Sequence, residues 1–218
     1  MQSSTEEDYL KAIYNLSIEG NPVSTNALAE NLNTKASSVT DMIQKLSDKK
    51  LVNYVKYKGA TLSKSGKKIA LKVIRKHRLW ESFLVTKLNF NWDEIHEIAE
   101  QLEHINSPVL VDKLDEHLGF PKFDPHGDPI PDKNGNFQQI NELILSKLEK
   151  GQEAVLVGVK EHSSEFLKYL ESIPMLLGAK VKILETFQFD SSMKIEINSQ
   201  TNIMISNSVA NHLSVTTV

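Results

Sequence analysis

Ser24 to Leu62 reads STNALAENLNTKASSVTDMIQKLSDKKLVNYVKYKGATL, and this stretch decides the N-terminal fold. Ser24 is a helix N-cap, and the residues after it turn Ala27, Leu28 and Leu32 to one side. Asn33-Thr34 is a short turn, after which Val39, Met42, Ile43 and Leu46 repeat at helical spacing up to about Lys49. Two short helices across a tight turn make a helix-turn-helix pattern. Leu51 to Tyr57 then alternates apolar and polar side chains as a strand does, and Lys58-Gly59-Ala60 turns it back into Thr61-Leu62. Helix-turn-helix followed by a basic hairpin is the order of a winged-helix unit.

Outward from this segment, Thr5 to Ile18 reads as a preceding helix with Thr5 as cap and Glu6, Glu7 and Asp8 in its first turn, where acids favour the helix dipole. Ser63 opens a long helix to about Leu88, with Ile69, Val73, Trp80 and Leu84 along one stripe. Further helices are expected from Asn91 to about Ile105 and from Ser107-Pro108 to Leu118-Gly119. Phe120 to Asn136 holds four of the seven prolines and marks a linker or ordered crossover. Beyond it, Ala154–Val159, Val181–Phe189, Lys194–Ile197 and Asn202–Ile205 read as strands around one helix at Ser164–Ser172, which predicts a small β-barrel. The expected fold is mainly α with a small β domain. It divides into a winged helix-turn-helix over 1–73, a helical domain with a Pro/Gly linker over 74–141, and a barrel over 142–218, the last boundary falling near Phe137–Asn141.

The 218 residues contain no cysteine, which excludes disulfides, thiolate metal sites and thiol nucleophiles, so any metal must sit on N and O ligands. The acidic N-terminus lacks the pattern of a signal peptide and no long apolar run is present, so a cytoplasmic protein with no membrane partner is expected. The net charge of −3 hides an asymmetry. Residues 1–80 carry 14 Lys/Arg against seven Asp/Glu, whereas 81–218 carry 11 against 21. A basic half joined to an acidic one suggests a nucleic-acid-binding portion linked to a portion that handles cations.

The acidic half contains His96-Glu-Ile-Ala-Glu100-Gln-Leu-Glu103-His104. On a helix, His96, Glu100, Glu103 and His104 share an arc of about 100°, with Ile95, Ile98, Leu102 and Ile105 on the other side. His77 and Glu81 on the preceding helix are spaced i,i+4 and project together. Any one such pair is commonly a solvated helix face. All six residues on adjoining helices form a plausible donor set for Mn²⁺, Fe²⁺, Co²⁺ or Zn²⁺, which require neutral imidazole and ionised carboxylate. His117, His126 and His212 lack a partner at ligand spacing and read as ordinary histidines.

At these residues the sequence resembles the DtxR/MntR family of metal-dependent transcriptional repressors. The resemblance is carried by Thr5-Glu-Glu-Asp-Tyr-Leu-Lys-Ala-Ile-Tyr14, Ser37-Ser38-Val39-Thr40, Lys76-His77-Arg78-Leu79-Trp80-Glu81, the His96–His104 run and Asp124-Pro-His-Gly-Asp-Pro-Ile-Pro131, and it spans essentially the whole chain. It implies a helical metal-binding and dimerisation domain, an SH3-like (FeoA-like) final barrel, and a homodimer that binds a palindromic double-stranded operator when loaded with Mn²⁺ or Fe²⁺. Two metal sites per subunit are implied. The primary site maps onto Asp8, Glu100, Glu103 and His104, and the ancillary site onto His77, Glu81 and His96. His162 and Glu165 align with ligands lent by the SH3-like domain, although a capped helix N-terminus accounts for the same stretch equally well. The iron-sensing branch usually has Met at the position of Asp8 and Cys at that of Glu100. Carboxylates there suit the harder Mn²⁺. The short manganese regulators carry Glu where this chain has Lys11.

The third helix is the expected recognition helix. Lys35, Ser37, Ser38, Thr40, Gln44 and Lys45 are placed to contact phosphates or base edges, and Lys56 and Lys58 extend the contact from the wing. The expected function is metal-dependent repression without enzymatic activity. A metal-independent winged-helix regulator answering an organic ligand is the alternative. A metallohydrolase fits less well, since the sequence has no HExxH signature and would leave the basic segment unused.

Overall fold

A computed structural model describes residues 2–138 and 141–217. The chain folds into two compact units: 1–77 with 100–111 and 131–137, and 78–99 with 112–130 and 138–218. The expected boundary near Phe137–Asn141 includes Gln139 and Ile140, which lie outside the described residues.

In the first unit, α1 (Ser4–Leu16), α2 (Thr25–Asn31) and α3 (Ala36–Asp48) precede a hairpin of β1 (Val52–Val55) and β2 (Gly59–Leu62), and α4 (Lys64–Leu88) begins here. The cap of α1 is Ser3 rather than Thr5: its hydroxyl accepts from the Glu6 amide at 3.3 Å, which moves the cap two residues toward the N-terminus. Ser24 caps α2 through the Ala27 amide, and Asn33 takes a positive φ of 47° in the turn to α3, a conformation its short polar side chain tolerates. Leu10, Ile13, Leu28, Val39, Ile43 and Leu46 are fully buried together. Each contributes roughly 1.5–3 kcal/mol on transfer from water, so this core fixes the angles between the three helices. The hairpin pairs Val52 with Leu62 and Val55 with Gly59. Gly59 sits at φ 109° with the Val23 carbonyl where a Cβ would go, and the Val23–Ala60 bridge ties the hairpin to the start of α2.

The short helix α5 (His96–Leu102) is followed by α6 (Pro108–His117). The expected helix 91–105 is thus trimmed at both ends. Asn91–Ile95 forms turns in which Trp92 and Ile95 bury themselves, and Glu103–His104 form a turn after Leu102. Glu103 and His104 consequently lie in the turn that leaves α5, not on its helical face.

The second unit holds a six-stranded antiparallel sheet in the order β3-β8-β4-β5-β6-β7. Its strands are β3 (Leu143–Ile144), β4 (Glu153–Val159), β5 (Lys180–Thr186), β6 (Met193–Ile197), β7 (Thr201–Ile205) and β8 (Leu213–Thr217), with α7 (Ser164–Ser172) and α8 (Asn207–Asn211) between them. Leu156, Ile183, Ile195, Leu167, Leu170 and Val215 are buried in its core. β4 is bulged between Leu156 and Gly158. Gly127, at φ 90°, presses against that bulge, and the Val159 amide donates to the His126 carbonyl at 2.9 Å. The loop Asp124–Asp128 is anchored there. No helix among the described residues is long and apolar enough to cross a membrane.

Candidate metal centre and nucleic-acid interface

Asp8 lies one turn into α1, and Glu103 and His104 follow α5. One donor atom from each falls within 4.8 Å of the others. His104 Nε2 is 3.0 Å from Asp8 Oδ1 and 3.8 Å from Glu103 Oε1. The other ring nitrogen, Nδ1, is 2.8 Å from Glu7 Oε2. A carboxylate on Nδ1 favours the proton there and leaves the Nε2 lone pair facing Asp8, an orientation suited to a metal ligand. Glu103 is wholly buried. Its Oε2 is engaged by His77 Nδ1 at 2.6 Å, whereas Oε1 lies 2.6 Å from the Lys11 ammonium and 3.8 Å from His104 Nε2 and, among the described residues, makes no directed hydrogen bond. Burial pushes the Asp8 carboxyl above its ordinary range, with the charges of His104 and Lys11 pulling the other way. A buried carboxylate oxygen held by charge alone, beside a presented imidazole and a second carboxylate, fits a divalent cation.

Glu100, expected as the fourth ligand, is exposed, and its Oε1 lies 3.3 Å from Lys11 Nζ. It does not join the Asp8 group. His77 stands one turn before Glu81 on α4, and His96, at the start of α5, places Nδ1 3.5 Å from Glu81 Oε1. Glu81 has further neighbours that spacing did not reveal. Glu81, Asp124 and His126 are all buried, with donor atoms within 4.8 Å of one another. His126 Nε2 donates to the Trp92 carbonyl at 3.0 Å, and its Nδ1 lies buried 3.8 Å from Glu81 Oε2. Asp124 accepts from the amides of His126 and Asp128 and lies 3.6 Å from Arg78 Nε, while burial and the carboxylates of Glu81 and Asp128 push it up to about 7. A histidine read as ordinary in the sequence is thus one of the donors of this cluster. The only signal was the Asp124–Pro131 motif, which gives no periodicity because it is a loop. His162 stacks on the His126 ring at 4.7 Å, and burial next to His126 lowers its pKa. Glu165 is exposed in the first turn of α7 and belongs to none of the donor groups found among the described residues.

Elsewhere in the first unit, Lys35, Ser37, Ser38 and Gln44 of α3 and its cap are exposed, as are Lys56 and Lys58. Thr40 is partly buried, and its hydroxyl donates to the Ala36 carbonyl of its own helix. Lys45 and Lys49 lie 2.9 and 2.7 Å from the buried Glu6, binding α3 to α1 and holding the Glu6 carboxyl down at about 2. Tyr57, unremarked in the sequence, is at the tip of the wing, 93% exposed, with the Lys56 ammonium 5.1 Å from its ring centroid.

The chain is similar to several known proteins. The profile described as "Iron dependent repressor, N-terminal DNA binding domain" matches residues 1–60, and "Iron dependent repressor, metal binding and dimerisation domain" matches 63–132. The HTH-type transcriptional regulator MntR of Oceanobacillus iheyensis is 35% identical over 124 residues, 57% of this chain and 84% of that protein. The chain belongs to the DtxR/MntR family of metal-dependent transcriptional repressors. Its final domain matches the FeoA domain over 144–217, in line with the SH3-like expectation. The iron-dependent repressor IdeR of Mycobacterium tuberculosis is 32% identical over 127 residues, covering 58% of this chain and 55% of that protein. A solved "Manganese-dependent transcriptional repressor complex with manganese" superposes with a TM-score of 0.88 at 34% identity, over 98% of this chain and all of that one. ScaR with bound Zn²⁺ gives 0.78 at 32% identity, over 98% of this chain and 99% of that one. As a family member, the chain is a DNA-binding repressor with a metal-binding dimerisation domain.

Proposed function

We propose that this repressor acts in the cytoplasm as a homodimer on a palindromic operator and answers Mn²⁺ through the Asp8, Glu103 and His104 group. The carrying observation is the donor set. Two carboxylates and one imidazole, with no sulfur, favour a hard ion over the softer partners of thiolate sites. A divalent cation supplies concentrated positive charge that these residues share. Asp8 comes from α1, whereas Glu103 and His104 follow α5, so the set links the first helix of the winged domain to the end of α5. Glu7 orients His104, and His77 holds Glu103. A second cation is assigned to Glu81, for which His96 and the Asp124–His126 loop both offer donors.

The winged domain supplies the DNA contacts, with Lys35, Ser37, Ser38 and Gln44 entering from α3 and Lys56, Tyr57 and Lys58 from the wing. Fixing α1 restricts where α3 stands, because both share one core with the buried Glu6–Lys45–Lys49 cluster between them. Ligand and DNA binding are then reciprocally coupled, by typically about 1–3 kcal/mol. The test is Asp8→Ala. The variant is expected to remain a folded dimer whose operator affinity no longer responds to Mn²⁺. An undiminished response would refute this site.

A further inference from the structure

We propose that Lys11 is a tethered competitor for the cation: its ammonium occupies the Glu103 oxygen that a metal ion would take, and so sets the concentration at which the repressor responds. This rests on the metal-centre reading above. Lys11 follows Asp8 by three residues on α1, so both side chains leave the same face of the helix. Its Nζ lies 2.6 Å from Glu103 Oε1 and 3.3 Å from Glu100 Oε1, and its side chain is 14% exposed against none for Glu103. Because His77 engages Oε2, Oε1 is the Glu103 atom that faces Asp8 and His104.

The ammonium holds Oε1 by charge, without a well-directed hydrogen bond. Lysine is a compact charge on a flexible four-carbon stem, unlike the rigid fork of arginine, and can withdraw. A divalent ion on the same oxygen would stand within a few ångströms of it, where two positive charges repel strongly in a site of low dielectric. Binding therefore requires Lys11 to be displaced. That cost is the same for every divalent ion and weakens all of them in proportion. Mg²⁺, at the weak end of the affinity order for such sites, is driven below useful occupancy, whereas transition metals retain enough affinity to displace the lysine. Without a metal the same ammonium compensates the buried Glu103 carboxylate.

Lys11→Met keeps most of the side chain's length and removes its charge, Lys11→Gln is a smaller polar alternative, and Lys11→Arg preserves the charge. In calorimetric titrations of the full-length dimer, Lys11→Met and Lys11→Gln are expected to bind Mn²⁺ about tenfold or more tightly than the parent, and to show saturable Mg²⁺ binding. Lys11→Arg should remain close to the parent. In chelator, the two neutral variants should melt at lower temperature and gain more from Mn²⁺ than the parent does. Parent and neutral variants binding Mn²⁺ equally, or the variants more weakly, would overturn the role of Lys11 while leaving the site intact. Absence of saturable Mn²⁺ binding in every protein, parent included, would overturn the metal-centre reading and this inference with it.

Discussion

Replacing Glu103 with Gln probes the centre of the first unit with little change in shape. The carboxylate is completely buried between the Lys11 ammonium and His77 Nδ1, each at 2.6 Å. The amide fills the same volume, so no cavity term arises. It removes the negative charge and leaves Lys11 beside a neutral group. Breaking a buried pair by deleting one partner typically costs about 3–5 kcal/mol. Here the Lys11 and His77 side chains are 14% and 11% exposed and can recover part of their hydration, so about 2–3 kcal/mol is expected. In a chain of this size that corresponds to roughly 5–10 °C in melting temperature. Melting followed by far-ultraviolet circular dichroism in chelator reads this term. Repeating it in Mn²⁺ reads the second: the parent should gain about 2.7 kcal/mol at a metal concentration one hundred times its Kd, and the variant almost none. A variant that melts with the parent in chelator and gains as much from Mn²⁺ would refute the placement of Glu103. A variant that melts lower but gains equally would show an anchor and not a ligand.

Three other outcomes are expected. Glu6 is held at about 2 by Lys49 and Lys45 against an ordinary value of 4.5, so its contribution is fully present above pH 4.5 and is lost as pH falls from there through 2. Allowing for the half-exposed lysines it amounts to about 2 kcal/mol, and Glu6→Gln should remove the acid-limb difference in denaturant titrations. Gly127→Ala would bring a Cβ to 2.0 Å from the Val157 carbonyl at φ 90°, so denaturant titration should show a loss of about 2 kcal/mol or more, with cation binding at the Asp124–His126 loop weakened. Lys56→Ala and Lys58→Ala should each weaken binding to all duplexes about equally and reduce the slope of log affinity against log salt by about one, measured by fluorescence anisotropy.

The helix-turn-helix was legible because its signals are local: Ser24 caps, Asn33 turns, and Val39, Ile43 and Leu46 repeat at the period that buries them. The sheet was read incompletely. Leu213–Thr217 forms β8, between β3 and β4, yet Ser214 breaks its apolar run and its burial comes from partners distant in sequence. At the site, helical spacing brought attention to Glu103 and His104, although the backbone that presents them is a turn. Asp8 reached the set through family resemblance. The seating of Lys11 on Glu103, the Glu7 contact to His104 and the pairing of Glu81 with the Asp124–His126 loop depend on tertiary placement, which no periodicity encodes.

A divalent cation that controls DNA binding must change the affinity of the dimer for its operator. Duplexes selected from random oligonucleotides with Mn²⁺ present provide the ligand, and their affinity for the dimer, measured at one fixed salt concentration with Mn²⁺ and with chelator, provides the test. Binding stronger with Mn²⁺ by about 5- to 150-fold, the range of ordinary allosteric coupling, is the result expected. Equal affinity in the two conditions would contradict it.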